Sequence, residues 1–86
     1  MHNVEISKSA AKELAAIKRG DPKLHRQIVD AIKALETDPR PDGCTDLKGR
    51  AGYRIRVREF RVIYTVNDGE LLVLVIKVGK RGQVYD

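Results

Sequence analysis

The chain has 86 residues and a formal net charge of +5, with 34% charged and 42% hydrophobic residues. That length holds one small domain with a single core, so residues 1–86 are read as one unit with no room for a cofactor domain. The composition excludes a disordered chain. No apolar run approaches the roughly 18 residues of a membrane span and no apolar signal region opens the chain, so a cytoplasmic protein with no membrane partner is expected.

One Phe, three Tyr and no Trp leave the core to aliphatic residues. Asn3-Val4-Glu5-Ile6 alternates as a short strand. Ser7 offers a helix N-cap, and Ala10, Ala11, Leu14, Ala15 and Ile17 fall at helical spacing, which predicts a helix over 8–18 ended by Gly20. Asp21-Pro22 restarts a helix, with a capping carboxylate and a proline in the first turn. Leu24, Ile28, Ala31, Ile32 and Leu35 give it one apolar face to about residue 36. The tight link makes the two helices an antiparallel hairpin.

Asp38-Pro39-Arg40-Pro41-Asp42-Gly43 cannot continue a helix. Leu47 anchors the passage into the sheet. A strand is expected at 52–58, and another at about 60–67 with Phe60, Val62, Tyr64 and Val66 on one face. Asn67-Asp68-Gly69 reads as a hairpin turn. Residues 71–76 are apolar on both faces, as in a central strand. Gly79 and Gly82 bracket a loop carrying Lys80 and Arg81, and Val84-Tyr85 is a terminal strand stub. The expected fold is α+β: a short N-terminal strand, an antiparallel helix hairpin, then a three- to four-stranded antiparallel sheet with the helices on one face.

Charge is spread unevenly. Residues 1–46 carry eight Lys/Arg against eight Asp/Glu, whereas 47–86 carry nine against four. Tyr53-Arg54-Ile55-Arg56-Val57-Arg58 alternates, so Arg54, Arg56 and Arg58 share one face and Tyr53, Ile55 and Val57 the other. Arg61 follows in the next strand. Like charges side by side on a sheet lower stability, and a bound phosphate would explain them, since the guanidinium fork matches it. Cys44 is alone, and His2 and His25 have no partners at ligand spacing. No acidic cluster suits a metal, so neither metal nor cofactor is expected.

Leu47-Lys48-Gly49, Tyr53-Arg54-Ile55-Arg56-Val57, Phe60-Arg61-Val62-Ile63-Tyr64, Val78-Gly79-Lys80-Arg81 and Val84-Tyr85, in that order and spacing, resemble the RelE/ParE toxin superfamily, and most of all its RelE branch. The resemblance spans nearly the whole chain. It implies a toxin of a type II toxin–antitoxin system that enters the ribosomal A site and cuts mRNA without a metal, the ribose 2′-hydroxyl attacking the adjacent phosphate. The implied partners are a cognate antitoxin, the ribosome with its mRNA, and operator DNA through the antitoxin complex.

The matching catalytic positions are Arg54, Arg56, Arg61, Arg81 and Tyr85. Lys48, Arg50, Arg58 and Lys80 are expected to hold RNA. Arg61 suits the phosphate oxygens, Arg81 the leaving oxygen, and Tyr85 a stacked base. The founding RelE pattern has lysines where this chain has Arg54 and Arg56. Arginine stays protonated, so these two cannot act as the general base, and Tyr85 and Glu59 remain for that role. The chain ends one residue after Tyr85, without the C-terminal helix of some RelE-type toxins. Two other readings stand beside the nuclease: a ParE-like inhibitor of DNA gyrase, and a non-catalytic homologue that binds antitoxin and operator DNA.

Overall fold

Both helix starts are capped as the sequence predicts. The Ser7 hydroxyl accepts from the Ala10 amide at 3.1 Å, and the Asp21 carboxylate from the Leu24 amide at 3.1 Å, with Pro22 opening the second helix. The computed structural model describes residues 1–49 and 51–80. In chain order these form β1 (Asn3–Ile6), α1 (Lys8–Gly20), α2 (Pro22–Ala34), β2 (Thr45–Asp46), β3 (Tyr53–Val57), β4 (Phe60–Asn67) and β5 (Leu72–Lys80).

The strands make one five-stranded sheet in the order β1-β5-β4-β3-β2. Neighbours are antiparallel except β1, which runs parallel to β5 with Val4 beside Val73. After the helices come four antiparallel strands, within the expected three or four, and the N-terminal strand joins the same sheet at its β5 edge. The expected α+β layout holds.

Both helices lie on one face of the sheet. Ala10 and Leu14 of α1, and Leu24, Ile28 and Ile32 of α2, are buried with Ile55, Phe60, Val62, Tyr64, Val73, Val75 and Val78. The register sets Tyr53 opposite Tyr64, Ile55 opposite Val62 and Val57 opposite Phe60. The odd set of β3 and the even set of β4 therefore share the helix-facing side.

In β5 the core positions are Val73, Val75 and Val78, so the spacing lengthens from two to three. The pairing shows why: Tyr64 faces Val75 but Ile63 faces Lys77, which leaves Ile76 as an extra residue. One inserted residue reverses the phase of everything after it. Val78 turns into the core, and Lys77 and Gly79 turn to the opposite face. The Ile76 carbonyl accepts from the Ser7 hydroxyl at 2.8 Å, so one side chain caps α1 and satisfies the bulge.

Three local expectations change. Val57 and Phe60 close the β3–β4 hairpin, so Arg58 and Glu59 form a two-residue turn and Arg58 leaves the strand. Its φ of 55° is the positive value that such a tight turn demands of a first residue, strained for a side chain with a Cβ. The β4–β5 hairpin turn takes the four residues 68–71, so Leu71 leaves the expected strand, with the Asn67 carboxamide oxygen accepting from the Glu70 amide at 3.0 Å. Gly79 and Lys80 continue β5 instead of starting a loop. The Val84-Tyr85 stub lies outside the described residues.

A polar cluster ties the Pro-rich loop to the sheet. The Tyr64 hydroxyl donates to the Pro39 carbonyl at 2.7 Å, and burial raises its pKa above the ordinary phenol value. Arg40 donates through Nε to the Tyr53 hydroxyl at 2.8 Å and through Nη2 to Asp68 at 3.0 Å. His2 contacts the same carboxylate at 3.1 Å, while its amide donates to the Glu36 carbonyl.

Two outcomes are expected. Ser7→Ala should lower unfolding free energy by about 1–2 kcal/mol, since it removes a cap and strands a bulge carbonyl, whereas Ser7→Thr should keep most of it; urea midpoints compare the two. Arg40 first, then His2, holds the Asp68 pKa below 3.8. A depressed carboxylate stabilises the fold above its unfolded pKa and loses that contribution as pH falls through the folded value. Asp68→Asn should therefore flatten the loss of stability below about pH 4, read as urea midpoints across the acid range; an unchanged acid limb would remove Asp68 from the account.

Candidate nucleic-acid interface

The face away from the helices is built in rows across β3, β4 and β5. One row is Arg54, Ile63 and Lys77; the next is Arg56, Arg61 and Gly79. Arg56 stands directly opposite Arg61, where side chains lie about 5 Å apart at Cβ, so the strand register sets two cations side by side. Arg54 and Arg61 are half-buried and Arg56 is exposed. The Arg61 Nε is itself shielded from solvent. Gly79 ends the row beside Arg61 and presents no side chain.

The sheet needs an apolar floor on this side as well. Ile63 is 2% exposed because Leu47 packs over it, and the two form a small core of their own. The loop that carries Leu47 closes with the Leu47 amide donating to the Gly52 carbonyl at 3.1 Å. Gly52 has a φ of +130°, and a Cβ there would meet the Tyr64 carbonyl oxygen at 3.0 Å and Leu47 Cδ1 at 3.2 Å. Only glycine lets the loop lie this close. Lys48 sits on that loop, exposed, next to the anchor.

The arrangement brings Arg54, Arg56 and Arg61 onto one face, as the alternation predicts, with Lys48 on the loop that caps its floor. Arg58 lies at the β3–β4 turn, exposed at the end of this face. Lys80 lies elsewhere: it pairs with Phe60, on the helix side, and lines a cleft of about 330 Å³ with Glu13, Asp21 and Glu59. Glu59, a candidate base, is on that same side and does not face the arginines. Arg50, Arg81 and Tyr85 lie outside the described residues. Sequence reasoning passed over Lys77 as a site residue. The signal was the 2-then-3 spacing of Val73, Val75 and Val78, which marks the bulge and puts Lys77 among the arginines.

Such a surface can bind and polarise a phosphodiester. Guanidinium pairs grip phosphate oxygens, and unlike lysine they keep their protons at any pH the protein meets. Among the described residues no group of His, Cys, Asp and Glu could hold a metal ion. Among the described residues no helix is long and apolar enough to cross a membrane.

A small α+β domain with a helix pair on one sheet face and a cationic opposite face is the framework of a known toxin class. The sequence profile of the ParE toxin of type II toxin–antitoxin systems, parDE, matches residues 4–85. The chain belongs to the RelE/ParE superfamily and is a toxin of a type II toxin–antitoxin system. It is 30% identical to RelE1 of Methanocaldococcus jannaschii over 87 residues, which cover 96% of this chain and 93% of that one. Its fold superposes on the toxin–antitoxin complex RelBE of E. coli with a TM-score of 0.79 at 25% identity, covering 93% of this chain and 96% of that one. The archaeal RelE–RelB complex of Pyrococcus horikoshii OT3 gives 0.75 at 26% identity, over 96% and 98%.

Gly52→Ala should lower stability by about 1–3 kcal/mol and release Leu47 from Ile63, because the substitution meets backbone and strains φ together. Hydrogen exchange should rise over residues 47–52 while the helices stay protected; unchanged exchange would show that the loop tolerates the methyl.

Proposed function

We propose that this toxin is a ribosome-dependent mRNA endonuclease that stops translation without a metal ion. The observation that carries the reading is the pair of rows Arg54-Ile63-Lys77 and Arg56-Arg61-Gly79, which gather four cations on one sheet face as a phosphate seat. In the reaction the 2′-oxygen forms a bond to the adjacent phosphorus, the bond from phosphorus to the 5′-oxygen breaks, and a proton passes to that leaving oxygen. The phosphorane between them carries extra negative charge, which fixed cations stabilise more than they stabilise the starting diester.

In this reading Arg61 holds the non-bridging oxygens, with Arg56 opposite. Arg54 and Lys77 steer the flanking phosphates. The resemblance assigns the leaving oxygen to Arg81 and a stacked base to Tyr85, while Lys48, Arg50 and Arg58 add RNA contacts. With Glu59 facing the helix side, the proton of the 2′-hydroxyl falls to Tyr85 as its phenolate, while Arg81 keeps its own proton and hydrogen-bonds the leaving oxygen, which is protonated by water. A cognate antitoxin holds the toxin in check, as the RelBE and RelE–RelB complexes suggest, and carries it to operator DNA. The cell compartment of this chemistry is the cytoplasm.

Arg61→Ala should slow single-turnover cleavage on programmed ribosomes about a hundredfold to a thousandfold with little change in stability. Lys77→Arg should retain the rate and its pH profile, since a phosphate contact needs only the charge, whereas Lys77→Ala should weaken binding. Primer extension on a reporter message, with and without ribosomes, checks the activity itself. The family profile is that of ParE, which favours gyrase inhibition as the second reading. Intact message together with a supercoiling defect would select it.

A further inference from the structure

The near-neutral first half of the chain is a sum of two unlike parts. Residues 8–34, the helix hairpin, hold seven Lys/Arg against three Asp/Glu; residues 35–46 hold one against four. The hairpin is therefore basic in its own right, and three of its cations gather along one groove. The apolar stripe of α2, Leu24, Ile28 and Ile32, faces the sheet. On its outer side, at helical spacing, come His25, Arg26, Val29 and Lys33, and Lys18 joins them from α1. Together they line an open groove of about 490 Å³ in which Asp30 is the single acid.

Nothing in the fold asks for this grouping. Among the described residues, Lys18, Arg26 and Lys33 have no carboxylate within ion-pair distance. The groove floor is a valine and the N-terminal proline of α2, shallow and without an apolar pocket that a folded protein segment would need.

We propose that this groove is a second RNA-binding site, which grips the phosphate backbone of a structured, A-form RNA. The charge fits a polyanion, and cations spaced along a helix match successive phosphates rather than a single small anion. The site lies on the helix layer, behind the sheet face assigned to the cleaved strand. The molecule measures 36 × 27 × 25 Å, with the groove on the helix layer and Arg56 and Arg61 on the far face of the sheet. Two opposed cationic faces suit a protein inserted between RNA elements. This rests on the ribosome reading for its biological setting but not for its chemistry.

The test compares the full chain with K18E/R26E/K33E, and with K8E/K12E/R19E, which makes the same charge change on α1 outside the groove. A short A-form RNA duplex of mixed sequence is the probe, titrated by fluorescence anisotropy at several salt concentrations, alongside ribosome binding and thermal unfolding. The groove variant should lose about tenfold or more of its duplex affinity, with a salt slope shallower by about two to three, and the control variant far less. K18Q/R26Q/K33Q should fall in the same direction by a smaller factor, should the reversal unfold the chain. Equal losses in both reversal variants, or no duplex binding by the parent, would overturn the proposal. So would loss of antitoxin affinity with duplex affinity intact, which would make the groove a protein-docking surface. If the parent cuts no message on ribosomes yet the groove variant alone loses duplex RNA, the site stands and the nuclease reading falls. If the parent cuts message and the groove variant binds both RNAs as the parent does, the reverse holds.

Discussion

The bond between the Ser7 hydroxyl and the Ile76 carbonyl organises much of this molecule. It holds the one extra residue of β5 in place, and that residue decides which side chains of the strand's second half face the helices. Without the bulge, simple alternation would carry Lys77 toward the core and Val78 to the surface. With it, the core gains a valine and the opposite face gains a lysine beside three arginines. Since the same hydroxyl caps α1, the helix layer and the cationic face are set by one side chain.

Repulsion on that face is held against the fold's interest by backbone pairing. Arg56 and Arg61 oppose each other because Ile55 and Val62, and Val57 and Phe60, are buried on the other side of the same two strands. A one-residue slip would separate the arginines but would expose the core set. The apolar face thus fixes the spacing of the charges, and the charges are free to be chosen for a ligand. The Leu47–Ile63 contact does the same on a smaller scale, giving the polar face a dry floor on which Lys48 is displayed.

Much of this was legible in the residues. Ser7, and Asp21 with Pro22, announced both helix starts, because capping is a local interaction between near neighbours. The alternation of Tyr53 to Val57 announced a strand with two unlike faces. What stayed hidden depended on pairing between distant segments. Whether Arg58 belonged to the strand turned on where the hairpin closed, and Val57 with Phe60 closed it before Arg58. The sides taken by Lys77 and Lys80 turned on a bulge visible only as an uneven valine spacing. The tie from Arg40 to Tyr53 and Asp68 joins three segments that carry no shared local pattern. The basic helix groove was masked differently, since an acidic loop cancelled its charge in any sum over the first half.

The parallel pairing of β1 with β5 has a consequence for how the protein is made. The second residue pair of that ladder joins Val4 to Val73, and the partner of Ser7 lies 69 residues further along the chain. During synthesis β1 therefore has no neighbour until β5 leaves the ribosome. Contacts of such long sequence separation come late. The opening residues of β1 emerge first and stay unpaired longest. The β5 edge of the sheet thus stays open until β1 docks on it.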